Sequence, residues 1–164
     1  MSESYTVRQL TLDDLELLKI IRLEALQQAH GNFGASYEEV CLKPNSEWEK
    51  WFVPTYGVFG LFCGNECIGM TGVCQAKDST ENAALIASYI RKDYRGKGLS
   101  RMLYEPRIAW AKEKGYKKLI ISHRKSNSAS KAANQKFGFV YTHSESKTWP
   151  DGITEDNVYY ELPL

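Results

Sequence analysis

The stretch Tyr94-Arg95-Gly96-Lys97-Gly98-Leu99-Ser100 decides the fold, and it lies between a predicted strand and a predicted helix. Two glycines in this stretch allow the backbone to turn tightly and to approach a ligand closely. The free N–H groups at the start of the following helix attract anions, and the helix dipole adds to that attraction. Arg95 and Lys97 place positive charge at the same turn. These features are typical of a phosphate-binding loop.

Two common phosphate loops do not fit this stretch. The Walker A loop requires Gly, four residues and then Gly-Lys-Ser/Thr, whereas Arg91 stands in the first place and Gly98 follows Lys97. The dinucleotide fingerprint Gly-x-Gly-x-x-Gly would need a third glycine where Arg101 stands. Taken alone, the stretch leaves a solvated basic turn open as the alternative.

A second segment helps to decide between a phosphate-binding loop and a solvated basic turn. It runs from Asn127 through Ser130, Asn134 and Lys136 to Gly138-Phe139, and it predicts a helix that ends at the glycine. With both segments present, the sequence resembles the GNAT superfamily of N-acetyltransferases. The acetyl-CoA loop of that family has the form Arg/Gln-x-x-Gly-x-Gly/Ala, which residues 95–100 match up to a serine in the last place. Its second motif runs from an Asn to a Lys-x-Gly-Phe ending, which residues 127–139 match.

The resemblance implies an α/β (α+β) fold in a single domain over residues 1–164. The expected sheet is mixed, mostly antiparallel and twisted, with about six to seven strands, two splayed parallel central strands and about four flanking helices. The patterns predict strands at 5–9, 58–63, 67–73, 84–90, 118–122, 139–142 and 157–162. They predict helices at 11–28, 37–42, 46–51, 98–114 and 128–137.

The resemblance also implies acetyl-CoA as co-substrate. Its pyrophosphate would bind the loop made by Arg95, Gly96, Lys97, Gly98, Leu99 and Ser100. Backbone groups near Tyr89 and Ile90 would hold the pantetheine and the thioester carbonyl, where an N–H group stabilises the developing oxyanion. Asn127 and Ser130 would contact the cofactor from the second helix.

The proton donor for the leaving thiolate is open. Many family members carry a Tyr seven residues after the Asn of the second motif, but Asn134 stands there and has no acidic proton. Tyr141, Tyr104 and Tyr89 are substitutes, with Tyr141 as the catalytic candidate. Water is a further alternative, because a thiol with a pKa of about 8.5 gives a fair leaving group.

The general base is open as well. An amine with a pKa of about 10.4 is mostly protonated at neutral pH, so a lysine-like acceptor would benefit from a base. Glu81 precedes the strand that leads to the loop, where some relatives carry a glutamate; the alternative is an exposed loop acid. His123 ends the strand before the second motif and is either a base or a plain strand-end histidine.

Pro106 lies inside the predicted helix 98–114. A proline in a helix removes one backbone hydrogen bond and costs about 3 kcal/mol. We therefore expect a kink between Met102 and Pro106, whereas the first turn at Gly98 lies upstream of the lost bond and should survive.

Composition excludes several classes of function. The 164 residues carry a net charge of +1, whereas a nucleic-acid-binding domain usually carries a basic excess. Residues 1–6 lack the charged start and apolar stretch of a signal peptide, and no apolar run approaches the ~20 residues of a membrane span. We expect a cytoplasmic protein with no membrane or nucleic-acid partner and with reduced cysteines. No metal site is expected, because Cys63 and Cys67 have no second pair and His30 and the other histidines are scattered.

The sequence therefore predicts an acetyl-CoA-dependent N-acetyltransferase, in which the acceptor amine attacks the thioester directly in a ternary complex. The expected acceptor is a small primary amine or an amino-acid-like molecule. The alternatives are a protein N-terminal amine as acceptor, or a non-catalytic acyl-CoA-binding domain. A homodimer is compatible with the sequence. Aromatic residues near the first helices either line the acceptor pocket or pack the helices on the sheet: Phe33, Tyr37, Trp48 and Trp51. Arg22, Glu24 and Glu38 are interpreted as ordinary helix-face charges.

Overall fold

A computed structural model describes residues 4–29 and 31–164, so His30 lies outside the described residues. The strands are β1 (Tyr5–Gln9), β2 (Tyr56–Cys63), β3 (Glu66–Gln75), β4 (Asn82–Ile90), β5 (Lys118–Arg124), β6 (Val140–Thr148) and β7 (Thr154–Pro163). They form one sheet in the order β1-β2-β3-β4-β5-β7-β6. Only the β4–β5 pair is parallel, which confirms the predicted mixed, mostly antiparallel sheet.

The helices follow the predicted order. They are α1 (Leu15–Gln28), α2 (Tyr37–Val40), α3 (Asn45–Trp48), α4 (Ser100–Glu113) and α5 (Ser128–Lys136), with short 3-10 turns at Leu12–Asp14, Glu49–Phe52 and Lys92–Tyr94. Helix α4 continues as one element through Pro106. Its first turn is intact, as expected for a turn upstream of the lost hydrogen bond. Among the described residues, no helix is long and apolar enough to cross a membrane.

The last two strands are longer than predicted. The sequence patterns gave strands at 139–142 and 157–162, whereas β6 and β7 reach Thr148 and begin at Thr154. The reason is burial: β6 is the edge strand and is exposed along almost its whole length, so it needs no apolar alternation. By contrast, β2 and β3 are buried on both faces and appear in the sequence as continuous apolar runs.

Hydrophobic clusters pack on both faces of the sheet. Neighbouring residues of a strand point to opposite faces. Val58 of β2 packs in the cluster with Leu18 and Ile21 of α1, and Phe59 packs in the cluster with Trp110 of α4. We call these faces the α1 face and the α4 face.

The parallel pair opens after three residues. Strands β4 and β5 pair only at Asn82↔Lys118, Ala83↔Leu119 and Ala84↔Ile120. Beyond these pairs, residues 85–90 of β4 and 121–124 of β5 run on without pairing to each other, while β5 keeps its pairing to β7 through Arg124. The predicted splayed central strands are confirmed, and the opening between them is called the gap below.

Candidate active site

A bulge distorts β4 beside the gap. Met70 pairs with Tyr89 and Gly72 pairs with Ile86, so β4 carries one more residue than β3 between these two pairs. The chain absorbs this residue at Ala87, which is the one non-glycine residue with positive φ (58°) in the described part of the chain. A left-handed conformation costs an L-residue about 1–2 kcal/mol, and such strain is concentrated at functional sites.

The bulge changes which face the end of β4 presents. In a regular strand Leu85 and Tyr89 would share a face, because they are four residues apart. Leu85 packs on the α4 face, but Tyr89 packs in the α1 cluster and its hydroxyl donates to Oε2 of Glu24 at 3.0 Å. The extra residue therefore turns Tyr89 toward α1.

Tyr89 and Arg91 both donate hydrogen bonds to the carboxylate of Glu24. Arg91 donates to both carboxylate oxygens of Glu24 and also to Oε1 of Glu66 at 2.6 Å. The Arg91 contact lowers the pKa of Glu24, and burial together with the Glu24 contact raises the pKa of Tyr89 to about 12. Tyr89 thus keeps its proton at neutral pH and uses it to hold α1. Glu24 is an anchor and not the ordinary helix-face charge that the sequence indicated.

The backbone of Ile90 faces the gap. The N–H of Arg91 donates to the Ile68 carbonyl on β3 at 2.8 Å. Backbone groups alternate between the two edges of a strand, so the Ile90 N–H points to the opposite edge, toward β5. The Ile90 carbonyl accepts from Nε of Arg95 at 2.7 Å. The carbonyl of Ile90 is thus bonded to Arg95, whereas its N–H faces the gap without a bond to that side chain.

The predicted phosphate loop joins β4 to α4 at the open end of the gap. Gly96 and Gly98 both have φ of +75°, and a Cβ on either would meet no heavy atom within 4 Å. The glycines are thus required by the backbone conformation and not by crowding. Leu99 is 6% exposed and packs with Leu61, Ile68 and Leu103, so it anchors the end of the loop in a hydrophobic cluster.

Positive charge lies at this loop, as predicted. The Arg95 guanidinium lies 5.9 Å from the centre of the Tyr89 ring, and the Lys97 ammonium lies 5.7 Å from the Tyr94 ring. Residues 95–98 are exposed. The loop therefore combines two cations with the exposed start of a fourteen-residue helix.

The second motif begins α5. The Asn127 side chain caps the helix, because its Oδ1 accepts from the backbone N–H of Ser130 at 3.1 Å. Asn134, which stands where many relatives have Tyr, is fully buried. Its Oδ1 accepts from the Tyr104 hydroxyl, while its Nδ2 is buried without a partner. Burial raises the pKa of Tyr104, which makes it a poor proton donor.

His123 lies at the edge of the gap. It follows the last β4–β5 pair by three residues, is 6% exposed and stacks on Tyr160 of the α4 face. Its Nδ1 lies 2.8 Å from the Arg124 carbonyl, which can only accept, so Nδ1 carries hydrogen. Its Nε2 is sealed from solvent with no partner. Nε2 is consequently the ring nitrogen that has no partner within the described protein.

The other two catalytic candidates lie away from the gap. Glu81 forms an exposed ion pair with Lys117 at 2.9 Å and precedes the paired, closed end of β4. Tyr141 is 54% exposed on β6, which is separated from β5 by β7, and its hydroxyl lies 3.1 Å from Oγ of Ser144. The loop contacts Ile90 through Arg95, and His123 lies on the unpaired part of β5, whereas Glu81 and Tyr141 lie elsewhere.

A cleft of about 570 Å³ opens on the α1 face. It is lined by the end of α1, by α2 and by Pro150 and Asp151 of the β6–β7 turn. Arg124 holds this wall in place through Asp151 and Glu155, both at 2.7 Å, and through the Gly31 carbonyl. Sequence analysis missed this arrangement because its partners are distant in the chain and none belongs to a motif.

Comparison with known proteins agrees with this geometry. The family model described as the acetyltransferase (GNAT) family matches residues 21–139. The chain belongs to the GNAT family. It is therefore an acetyltransferase with acetyl-CoA as its co-substrate, which confirms the predicted family, activity and co-substrate. A comparison with proteins of curated function finds no match.

Solved structures share the GNAT fold over the whole chain. An acetyltransferase of the family from Streptococcus pneumoniae is 20% identical, with a TM-score of 0.81, and the match covers 98% of this chain and 100% of that one. An acetyltransferase from Salmonella typhimurium, solved with its cofactor acetyl-CoA, is 18% identical at a TM-score of 0.80 and 98% and 94% coverage. The ribosomal-protein-S18-alanine N-acetyltransferase from Escherichia coli is 22% identical at a TM-score of 0.73 and 98% and 94% coverage. At these identities the likeness establishes the fold alone.

Proposed function

We propose that this GNAT protein transfers the acetyl group of acetyl-CoA to a small primary amine, which attacks the thioester directly in a ternary complex. The observation that carries the proposal is the gap: β4 and β5 separate after Ala84↔Ile120, and the phosphate loop lies at its open end. The acceptor class, the ternary complex and the site residues are parts of this proposal.

Different groups along and after β4 would bind different parts of acetyl-CoA. The backbone N–H groups of residues 95–100 and the cations Arg95 and Lys97 would bind the pyrophosphate. The Ile90 N–H would pair with the extended pantetheine arm, as an added strand pairs with a sheet edge. The bulge at Ala87 reorients the backbone where this arm ends. When bound, acetyl-CoA supplies the activated thioester.

His123 is the proposed proton-handling residue. Its Nδ1 donates to the Arg124 carbonyl, so Nε2 is the nitrogen that would accept a proton once the ligand opens the packing that buries it. Asn134 cannot supply a proton, and the hydroxyl of Tyr104 is already donated to it. The acceptor would approach from the α1 face, through the cleft beside α2, and its proton would pass across the gap to His123 on the α4 face.

Turnover measured as release of the CoA thiol tests the proposal. A panel of amines, amino acids and peptides with free N-termini is offered at saturating acetyl-CoA, to the wild type and to His123→Gln. We expect transfer to at least one small amine, and a loss of about 10²-fold or more in kcat for His123→Gln if it acts as the general acid or base. Gly98→Glu should abolish thermal protection by CoA, because a carboxylate would enter the pyrophosphate site, whereas Gly115→Glu in the exposed turn after α4 serves as its control.

Three outcomes separate the alternatives. Transfer to small amines supports the proposal, and transfer only to peptides would replace the acceptor with a protein N-terminus. Two of the structural matches are ribosomal-protein-alanine N-acetyltransferases, which is the reason to include peptides. Tight binding of acetyl-CoA without transfer to any acceptor would instead indicate an acyl-CoA-binding module.

A further inference from the structure

Helix α1 buries an arginine that has no counter-ion. Arg22 is 9% exposed, and its Nη1 is sealed from solvent without an acceptor. Burial is the sole cause of the fall in its pKa to about 10, so the group remains charged at neutral pH. No carboxylate in residues 4–29 or 31–164 forms an ion pair with it. A guanidinium removed from water without an anion is costly for a fold.

Two aromatic rings enclose Arg22. Its guanidinium carbon lies 4.9 Å from the centre of the Phe33 ring and 5.7 Å from that of Trp51. Cation–π contacts of this kind recover part of the cost of burial, but they leave Nη1 without an acceptor. Arg22 therefore combines aromatic neighbours with a desolvated donor that has no partner.

The aromatic neighbours of Arg22 pack on the same face of the sheet as the bulge in β4. Trp51, Phe33 and Ala87 all pack on the α1 cluster. The Trp51 ring lies 3.3 Å from the position that a Gly72 Cβ would take, and Gly72 pairs with Ile86, the residue just before Ala87. Neighbouring residues thus lead from Arg22 through Trp51 and Gly72 to Ile86, beside the bulge.

The other arginines of this region are already paired. Arg91 is held by Glu24 and Glu66, and Arg124 is held by Asp151 and Glu155. Arg22 differs from both because its donors have no protein carboxylate in the described chain. The missing partner is consequently expected to come from a ligand on the α1 face.

We propose that Arg22 binds a carboxylate of the acceptor, so that the acceptor is an amino acid or a close analogue and not a simple alkylamine. This inference rests on the proposed function, because it names the acceptor class of the same site. A guanidinium can donate two parallel hydrogen bonds to a carboxylate. This pairing would fix the distance between the acceptor's carboxylate and its attacking amine.

The test uses matched acceptors. Leucine and leucinamide, and methionine and methioninamide, are compared at equal concentrations of the neutral amine with release of the CoA thiol as the readout. Loss of one charge-assisted hydrogen bond corresponds to about 10- to 100-fold, so we expect the wild type to prefer the acids by that factor in kcat/KM. Arg22→Met should remove the preference, and Arg22→Lys should keep part of it. Equal use of acid and amide by the wild type, or an unchanged preference in Arg22→Met, would overturn the proposal.

Stability distinguishes recognition from a structural role. Methionine keeps an unbranched apolar stem between the two rings, and replacing an unpaired buried charge by an apolar group is often neutral or stabilising. We expect Arg22→Met to melt at the wild-type temperature or above it. A variant that melts well below the wild type, and loses activity toward acids and amides alike, would instead assign Arg22 to the fold.

A binding measurement keeps the two proposals separate. If no amine is acetylated, the proposed function fails, but titration of leucine into the CoA-saturated wild type and Arg22→Met still tests the carboxylate site. Binding that is lost in the variant supports the site independently of turnover. Absence of binding to the wild type for every amino acid of the panel would overturn it.

Discussion

Replacement of Gly98 by alanine isolates the contribution of one backbone angle. The φ of +75° at Gly98 lies in the left-handed region, and an added Cβ would meet no atom within 4 Å. The substitution therefore introduces no clash and adds no polar group. Its only cost is the conformational penalty of an L-residue, which is about 1–2 kcal/mol.

This penalty should appear in acetyl-CoA binding. Residues 95–98 are exposed, so the free loop can relax to a conformation that suits alanine. Binding would then have to restore the left-handed turn. Since about 1.4 kcal/mol changes a dissociation constant tenfold, the expected loss of affinity is about 5- to 30-fold. Isothermal titration with acetyl-CoA measures it directly.

Gly115 supplies the matched control. It has φ of +84°, its added Cβ would also meet no atom within 4 Å, and it lies in the turn between α4 and β5. We expect Gly115→Ala to reduce the free energy of unfolding by up to about 2 kcal/mol and to leave acetyl-CoA affinity unchanged. Wild-type affinity in Gly98→Ala, or an equal loss in Gly115→Ala, would refute the reasoning.

Four further substitutions test other parts of the site. Ala87→Gly should raise the free energy of unfolding by up to about 1 kcal/mol in urea, because glycine tolerates positive φ; a lower value would contradict strain at the bulge. Tyr104→Phe should lower it by about 1–3 kcal/mol, since the buried Asn134 amide loses its partner, and an unchanged urea midpoint would argue against this hydrogen bond. The lowered pKa of Glu24 means that its contacts stabilise the fold above the unfolded pKa of about 4.3 and that this contribution is lost as the pH falls through the lower folded value. Glu24→Gln should therefore be less stable than the wild type at pH 7 and converge with it in acid, whereas parallel urea curves from pH 7 to 3 would oppose the assignment. Glu81→Gln should keep kcat/KM within about twofold, because an exposed surface pair contributes little; a large loss would return Glu81 to the list of bases.

The parts of the fold that the sequence predicted are those with a local signal. Gly96 and Gly98 mark the loop because the backbone requires them there, and the apolar runs of β2 and β3 mark buried strands. Strand β6 is exposed and polar, so its pattern indicated only its first residues. The bulge at Ala87 has no local signal, because alanine seldom adopts the left-handed conformation that the tertiary structure imposes there.

The charged residues also divide into those that a local motif indicates and those that depend on contacts distant in the chain. Arg95 and Lys97 could be placed at the exposed loop from the sequence because they lie within one motif. Glu24, Arg22 and Arg124 are arranged with residues far away in the chain, and their helical or strand positions look ordinary. Glu81 was predicted as a general base because it precedes β4. The sequence did not indicate that β4 and β5 stay paired at this end, where Glu81 lies, and separate at the other.

The opening between β4 and β5 links the free energy of unfolding to the ligand that fills it. A sheet that stops pairing at Ala84↔Ile120 has an internal edge, and unpaired strand edges exchange their amide hydrogens and recruit other chains. A ligand that pairs with this edge completes the sheet from outside the polypeptide. At a concentration 100 times its dissociation constant, such a ligand adds about 2.7 kcal/mol to the free energy of unfolding. The supply of acetyl-CoA would then govern what fraction of the molecules is folded, in addition to how fast each one works.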